Sequence, residues 1–360
     1  MELKTRKIFY PLSILYGWVI ACRNYLFDNG ILKSHSFDLP VISVGNITVG
    51  GTGKTPHIEY LVNLLKGEFR VAVLSRGYKR LSKGFILADL NTSMHKIGDE
   101  PFQMRQKYPD ILVAVDKDRC HGIDKLRELD PKPDAILLDD AYQHRYVKPG
   151  INILLVDYNR LICNDMMLPA GNLREPERGK NRANIVLITK CPQDIKPFDY
   201  RIISKHMKLY PYQKLFFTTF QYKGIKALFK PKEEIHPMKW LRDKKVLLLT
   251  GIASPDKLQE EIRRYTQITP LTYGDHHAFT PKDMELLRQK FQALKSKEKL
   301  IVTTEKDAAR LQDIDFIPEE LKPHLYVVPI EVVFMQDQQK QFNHIITDYV
   351  RKNTRNSFLP

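Results

Sequence analysis

Residues 45–56 combine closely spaced glycines with a lysine and a hydroxyl side chain. The segment follows the strand-like run VISV, and its central residues are Gly50, Gly51, Thr52, Gly53, Lys54 and Thr55. Glycines let backbone N–H groups wrap phosphate oxygens, and the N-terminus of a following helix attracts anions. The Lys54 ammonium can neutralise β- and γ-phosphate charge, and the Thr55 hydroxyl can ligate Mg²⁺. The segment therefore predicts a loop that binds the phosphates of ATP together with Mg²⁺.

This segment matches the phosphate-loop pattern G-x-x-x-x-G-K-[ST] incompletely. The position five residues before Gly53 is Thr48, where the pattern has glycine. An alternative is a glycine-rich turn between a strand and a helix with an incidental lysine. The strand before the loop and the helical stretch after it favour phosphate binding.

Carboxylates occur at two further places where they could meet these phosphates. Asp139 and Asp140 end the apolar run AILLDD, and Mg²⁺ on a triphosphate usually takes a carboxylate from the end of another strand. Ordinary loop acids are the alternative, and which aspartate contacts the metal is open. Asp99 and Glu100 precede Pro101, where a helix could start, so Asp99 could serve only as an N-cap.

A parallel sheet is the element that would bring these residues together. Apolar, β-rich runs alternate with helical patterns; the runs are 41–44, 71–75, 111–115, 135–139, 151–157 and 184–189. Crossover helices are predicted at 56–66, 101–108 and 118–129. We therefore predict an α/β fold in which a P-loop lies on a doubly wound, mostly parallel sheet.

A second, smaller α/β domain is predicted after this sheet. It contains strands near 246 and at 300–304 and helices near 256–265 and 281–294, and a two-stranded hinge joins it to the first domain. The predicted division is a membrane-associating amphipathic helix at 1–30, the P-loop domain at 31–214, the hinge at 215–235, the smaller domain at 236–325, and a return strand with a C-terminal helix at 326–360.

Charge and the N-terminal segment indicate the surroundings of the chain. Its 57 Lys and Arg exceed 42 Asp and Glu, for a net charge of +15, which predicts an anionic partner. The four cysteines lack CxxC or zinc-type spacing, which favours a reducing cytoplasm. The apolar run 8–22 follows basic residues, lacks a signal-peptide cleavage site, and is shorter than the about 20 residues of a membrane span. We expect a helix lying in a membrane surface; a helix packed on the core is the alternative.

Seven motifs in order give the chain a family resemblance. They are SVGNITVGGTGKTP, SRGY at 75–78, GDEP at 98–101, LLDDAYQH at 137–144, LPAGNLREP at 168–176, ITKCP at 188–192 and GDHHAF at 274–279. Over residues 11 to about 333 the chain closely resembles the tetraacyldisaccharide 4′-kinases of lipid A biosynthesis. One departure is Asn172, where proline is expected, and it should alter loop stiffness more than chemistry.

The resemblance implies a substrate and a place of action. ATP would phosphorylate the 4′-hydroxyl of a tetraacyl glucosamine disaccharide 1-phosphate at the cytoplasmic face of the bacterial inner membrane, where the chain would be peripheral or monotopic. No nucleic acid and no obligate protein partner is expected. An anionic headgroup would suit a set of basic residues: Arg76, Lys79, Arg80, Arg174, Arg178, Lys180 and Arg182.

The resemblance also implies roles for individual residues. Lys54 and Thr55 would contact phosphate and Mg²⁺, and the metal would also be held by Glu100 and by Asp139, Asp140 or both. Asp99 would abstract the proton with help from His276, although neighbouring His277 leaves that register open. Arg174 and Gln143 would line the transfer cleft. Because Asp99 and His276 fall in different predicted domains, their pairing would need domain closure about the hinge.

Two other classes of function compete with a kinase. A P-loop GTPase or ATPase acting in protein or metal-cofactor assembly would share the loop, but ITKCPQD has Pro192 where the guanine-reading pattern N-K-x-D has aspartate. A non-catalytic nucleotide-binding module at a membrane would have no use for the carboxylates of Asp99 and Asp139.

Overall fold

The fold is described here from a computed structural model, which covers residues 7–230 and 234–356. The parts of the predicted N-terminal helix, hinge and C-terminal segment at 1–6, 231–233 and 357–360 lie outside these residues. Strands are β1 Val41–Gly45, β2 Val71–Ser75, β3 Ile86–Leu87, β4 Leu112–Val115, β5 Ala135–Asp139, β6 Ile151–Asp157, β7 Ile185–Thr189, β8 Lys214–Tyr222, β9 Lys226–Ala227, β10 Lys245–Thr250, β11 Ile268–Thr272, β12 Lys299–Thr304, β13 Leu325–Val328 and β14 Ile330–Phe334. Helices are α1 Tyr10–Asp28, α2 Lys54–Leu65, α3 Met94–Ile97, α4 Asp99–Lys107, α5 Arg119–Arg127, α6 Pro197–Met207, α7 Asp256–Arg263, α8 Pro281–Ala293, α9 Glu305–Gln312 and α10 Gln339–Asn356.

The larger sheet has nine strands in the order β14-β8-β7-β6-β1-β5-β2-β4-β3. Its pairings are parallel except at the two edges, where β14 runs antiparallel to β8 and β3 antiparallel to β4. Apolar residues of α2, α4 and α10 cover one face of the sheet, and those of α5 and α6 cover the other. The predicted doubly wound, mostly parallel α/β fold is therefore confirmed.

The central strand β1 places the candidate site at one edge of this sheet. Val44 pairs with Asp139 of β5, so the loop after β1 and the acids after β5 leave the sheet side by side. Parallel strands present their carboxyl ends at a common edge, and ligands of open α/β sheets bind outside that edge. The strand order therefore brings Lys54 and Asp140 together although they are distant in sequence.

The smaller sheet has five strands in the order β11-β10-β12-β13-β9. Helix α7 packs on one face, and α8 and α9 pack on the other. The sequence-based division assigned 215–235 to the hinge and 326–360 to the return segment. In the structure β8 belongs to the larger sheet and β13 to the smaller sheet, so these two boundaries differ. Pro329 separates β13 from β14, and a proline cannot donate to a strand ladder. The chain thus crosses between the sheets at 223–225 and at Pro329.

Helix α1 turns most of its apolar side chains outward. Trp18 is 66% exposed and Leu15 is 59% exposed, whereas the buried residues are Ser13, Asn24 and Phe27. A helix packed on a core would have the reverse pattern, so that alternative does not describe α1. Among the residues that the structure covers, no helix is long and apolar enough to cross a membrane.

Candidate active site

The phosphate loop occupies residues 46–53, between β1 and α2. Gly50 and Gly53 have φ angles of 94° and 87°, a region that L side chains rarely adopt. A Cβ atom on Gly53 would lie 2.5 Å from the Phe220 ring, so space as well as conformation requires glycine there. Helix α2 starts at Lys54, which aims its first backbone N–H groups into the loop.

Thr48 has a structural reason for standing where the pattern has glycine. The Val49 N–H donates to the Asn172 carbonyl at 2.8 Å, and the Arg174 N–H donates to the Ile47 carbonyl at 2.8 Å. Thr48 thereby pairs with Leu173 in an isolated β-bridge. The first half of the loop is extended and paired with the LREP segment, a conformation that does not need glycine.

Asp139 and Asp140 lie beside the loop but differ in their surroundings. Lys54 Nζ is 3.7 Å from Asp140 Oδ1, and Arg174 donates to the same oxygen at 3.3 Å. Burial opposes ionisation of Asp140, but Lys54 and Arg174 lower its pKa below the usual value. Burial, reinforced by Glu100 and Asp140, raises the pKa of Asp139 to about 7. Asp139 Oδ1 is buried without a hydrogen-bond partner.

These oxygens fit the ligand preference of Mg²⁺. The Thr55 hydroxyl donates to Glu100 Oε1 at 3.3 Å, so two predicted metal ligands are already in contact. The unpartnered oxygen of Asp139 is a third hard donor, and Mg²⁺ usually completes its shell with water and substrate phosphates. In the described part of the chain Glu100, Asp139 and Asp140 do not gather their oxygens within 4.8 Å of one another. The protein therefore offers a partial shell that phosphate oxygens would complete.

Asp99 does not cap α4 through its side chain. The N-cap residue is Gly98, whose φ of 90° glycine tolerates, and Asp99 is the first helical residue. Its Oδ2 lies 2.7 Å from His276 Nδ1 and accepts a hydrogen bond from Arg310 Nη2 at 2.8 Å. Burial opposes ionisation, but these two partners hold the pKa of Asp99 well below its ordinary value. Asp99 is thus an ionised carboxylate at neutral pH.

The two adjacent histidines point to different partners. His276 has a φ of 58° and contacts Asp99, whereas His277 Nε2 lies 3.0 Å from Asp283 Oδ2 and its ring stacks on Tyr273. His276 therefore faces the P-loop domain, and His277 contacts the first turn of α8.

Helix α9 adds two site residues that sequence reasoning missed. Lys306 donates to Glu100 Oε1 at 2.7 Å, and Arg310 reaches Asp99. The sequence signal for this helix was the pattern T-x-x-D, which begins at Thr304 and precedes a helical run. In the structure the Thr304 hydroxyl accepts a hydrogen bond from the Asp307 N–H at the helix start. Both cations come from the smaller domain and pair with the acids at the start of α4.

Gln143 and Arg174 brace the loop. The Gln143 amide donates to the Asn46 carbonyl at 2.6 Å, and Arg174 donates to the Asn46 side-chain oxygen as well as to Asp140. Helix α1 reaches the same segments, because Arg23 donates to the Gln143 carbonyl at 2.7 Å and Tyr16 donates to the Arg174 carbonyl at 3.1 Å. Gln143, expected to line the transfer cleft, thus donates its side-chain amide to the protein backbone.

Cysteine spacing alone did not reveal one tertiary cluster. Asp118, Cys120 and His144 bring ligand atoms within 4.8 Å of one another. Asp118 already accepts the Cys120 and His121 N–H groups as the N-cap of α5, and the Cys120 thiol donates to the Tyr146 carbonyl at 3.5 Å. These contacts account for Asp118 and Cys120 as parts of a helix cap, whereas His144 Nε2 is buried without a hydrogen-bond partner.

The sheet order, the loop at the end of β1 and the acids at the end of β5 define a P-loop nucleotide-binding protein. The family model described as tetraacyldisaccharide-1-P 4′-kinase matches residues 5–351. A tetraacyldisaccharide 4′-kinase of Phocaeicola vulgatus is 58% identical over 358 residues, which cover 99% of this chain and 98% of that one. One of Bacteroides thetaiotaomicron is 53% identical, covering 99% and 96%.

A solved structure agrees with these sequence matches. The crystal structure of LpxK from Aquifex aeolicus in complex with ATP has a TM-score of 0.74 and 28% identity, covering 96% of this chain and 99% of that chain. The chain therefore belongs to the tetraacyldisaccharide 4′-kinase family, as its motifs predicted, and it is a kinase. The assembly GTPase or ATPase alternative is not favoured.

Proposed function

We propose that this chain transfers the γ-phosphate of ATP to the 4′-hydroxyl of a tetraacyl disaccharide 1-phosphate, with Asp99 as the base. The observation that carries the proposal is the contact of Asp99 with His276 and Arg310 at the start of α4, next to Glu100 and Thr55. A nucleophilic hydroxyl needs an oriented proton acceptor near the transferred phosphate. The ionised Asp99 is such an acceptor, and it lies outside the phosphate loop.

Charge around the transferred group is supplied by named side chains. Lys54 would hold the β- and γ-phosphates, and Arg174 would stand beside it, since both already contact Asp140. Thr55 and Glu100, with Asp139, Asp140 or both, would hold Mg²⁺. The ion, when bound, neutralises phosphate charge and fixes the orientation of the chain of phosphates. Asp99 would accept a hydrogen bond from the acceptor hydroxyl and take its proton as the new O–P bond forms and the bond from the γ-phosphorus to the β–γ bridging oxygen breaks, releasing ADP.

The lipid acceptor would reach this site from a membrane surface, at the cytoplasmic face of the inner membrane. The outward apolar side of α1 supports interfacial binding, because an exposed patch of this kind marks a membrane or partner surface. Arg76, Lys79 and Arg178 are exposed basic residues that could meet an anionic headgroup. By contrast, Lys180 pairs with Glu177 and Arg182 with Glu175, so these two serve the fold.

The direct test is transfer of labelled phosphate from ATP to purified tetraacyl disaccharide 1-phosphate. The wild-type chain should label the lipid, and Lys54→Ala should reduce transfer by about 10²-fold or more because a preorganised phosphate ligand is lost. Lys66→Ala, at the residue just after α2, is the matched control and should retain transfer. Lipid-independent ATP hydrolysis without lipid labelling would contradict the proposal.

A further inference from the structure

Helices α4 and α9 form a charged contact between the two domains. Arg310 and Lys306 of α9 pair with Asp99 and Glu100 at the first turn of α4. A third pair joins Glu305, at the start of α9, to Lys107, at the end of α4, with 2.5 Å between Nζ and Oε1. Lys107 lies eight residues after Asp99, or roughly 12 Å along the helix axis at 1.5 Å per residue. The Lys107 pair is therefore remote from Asp99, the proposed base.

Lys107 also binds the helix that follows the phosphate loop. Its Nζ lies 2.6 Å from Oε2 of Glu59 in α2, and Gln103 donates to the other oxygen of Glu59 at 2.9 Å. Glu59 is buried, with 4% of its surface exposed. Glu305 in turn accepts from the Ile330 N–H at 3.2 Å, just after the return crossing. One ammonium thus connects three helices, α2, α4 and α9, and its partner Glu305 also contacts the backbone just after the return crossing.

Lys107 lies in different surroundings from those of the proposed base. Glu59, Lys107 and Glu305 line a cavity of about 760 Å³ between the domains, whereas Asp99, His276 and Arg310 are not among its lining residues. Glu305 and Lys306 are neighbours on α9, yet one faces this cavity and the other faces Glu100. Helices α4 and α9 therefore lie between this cavity and the group formed by Asp99, His276 and Arg310.

The contact between α4 and α9 depends on the positive charge of Lys107. Without its ammonium, the carboxylates of Glu59 and Glu305 would face each other in a buried place, where like charges repel strongly. We propose that Lys107 is a positioning residue: it holds α9 against α4 so that Arg310 and His276 reach Asp99. The proposal rests on the transfer reaction above, and on a closed arrangement of the two domains.

Two variants and a control test this role in the intact chain. Lys107→Met removes the ammonium, whereas Glu305→Gln removes the charge of its partner on α9 and leaves the Lys107–Glu59 pair in place. Lys66→Met is the control, since Lys66 also lies near the Tyr108 ring, but it pairs with Asp110 within the larger domain. Lys107→Arg should restore the wild-type behaviour, because it keeps the charge.

The readouts separate positioning from folding. We expect kcat to fall about tenfold or more in Lys107→Met and less in Glu305→Gln, with the KM for ATP unchanged, because loop and nucleotide contacts remain. Amide exchange of α9 and of the 269–280 segment should quicken about fivefold or more in both variants and not in Lys66→Met. The kcat of the double variant, which combines Lys107→Met with Glu305→Gln, should be no lower than that of Lys107→Met. In the double variant the residue on α9 no longer carries the charge that repels Glu59.

Each outcome is decisive. If Glu305→Gln and Lys107→Met both have the kcat and the amide exchange rates of the wild type, the proposal is overturned. If Lys107→Met does not fold, the result for Glu305→Gln alone decides. Absence of lipid phosphorylation by the wild-type chain would reject the proposed function instead. The exchange comparison needs no activity, so in that case it still tests whether Lys107 joins the domains.

Discussion

The Nδ1 atom of His276 lies 2.7 Å from Oδ2 of Asp99, although one residue belongs to the five-stranded domain and the other to the nine-stranded domain. Arg310 of the smaller domain reaches the same oxygen at 2.8 Å. The proposed base is therefore oriented by two side chains that the phosphate-loop domain does not itself contain.

Asp99→Asn and His276→Asn should therefore lower kcat with little effect on ATP binding. Loss of a general base or its orienting partner typically costs about 10²- to 10⁴-fold. Labelled-phosphate transfer gives kcat, and fluorescence titration with an ATP analogue gives affinity. His277→Asn is the matched control, because His277 contacts Asp283. Equal activity of the two histidine variants would exclude His276 from the reaction.

Lys306→Met should reduce the Mg²⁺ concentration needed for half-maximal activity. The Lys306 ammonium occupies Glu100 Oε1 at 2.7 Å, so its removal frees a carboxylate oxygen for the ion. A Mg²⁺ titration at saturating ATP measures the effect, and we expect a shift of about twofold or more. Lys322→Met, which breaks an exposed pair with Glu319, is the control. An unchanged or increased requirement would show that Glu100 does not serve the metal.

Substitution of Leu15 and Trp18 by serine should release the chain from lipid vesicles. Both side chains point outward from α1, and each buried apolar side chain contributes about 1.5 to 3 kcal/mol to interfacial binding. Co-sedimentation with vesicles containing anionic lipid is the measurement. Phe198→Ser, at an exposed aromatic residue of α6, should bind like the wild type. Undiminished binding of the double variant would argue against α1 as the membrane surface.

Glu59→Gln should alter how stability depends on pH. Burial, followed by the charge of Glu305, raises the pKa of Glu59 to about 7, although Lys107 lowers it. An acid with a raised folded-state pKa destabilises the fold increasingly as pH rises from the unfolded value of 4.5 to about 7, and the penalty is constant above that. The penalty is on the order of 3 kcal/mol.

Urea unfolding at pH 5 and pH 8 can measure this difference. Between these two values the wild type should lose more free energy of unfolding than Glu59→Gln does. Glu128→Gln, at a surface acid paired with Lys125, is the control and should follow the wild type. A parallel pH dependence in Glu59→Gln would contradict the raised pKa.

The local patterns predicted the larger sheet well because its strands are short, continuous apolar runs. All six of its predicted strands form, and Val44 and Asp139 meet as parallel strand ends require. What local pattern could not give is pairing between distant segments. The bridge of Thr48 with Leu173 explains the missing glycine, and it depends on residues more than a hundred positions apart.

Helix α9 was missed because it is short and polar, and two of its cations pair with acids that are distant in the sequence. Lys306 and Arg310 lie in EKDAAR, where a charge run normally indicates a solvated face. Their partners, Glu100 and Asp99, come from the other domain. The assignment of Asp99 to the reaction came from the family motif, since GDEP by itself is equally typical of a helix start.

The two crossings between the sheets determine how the smaller domain is connected to the larger one. Tyr222 pairs with Ile330 in the larger sheet, so the chain leaves and re-enters it at opposed positions of two antiparallel strands. Such residues have Cα atoms about 4.5 to 5.5 Å apart, a gap that a two-residue turn closes. The smaller domain is thus an insertion at the tip of a hairpin. The unit that contains His276, Lys306 and Arg310 is a module that could be exchanged without breaking the sheet that carries the phosphate loop.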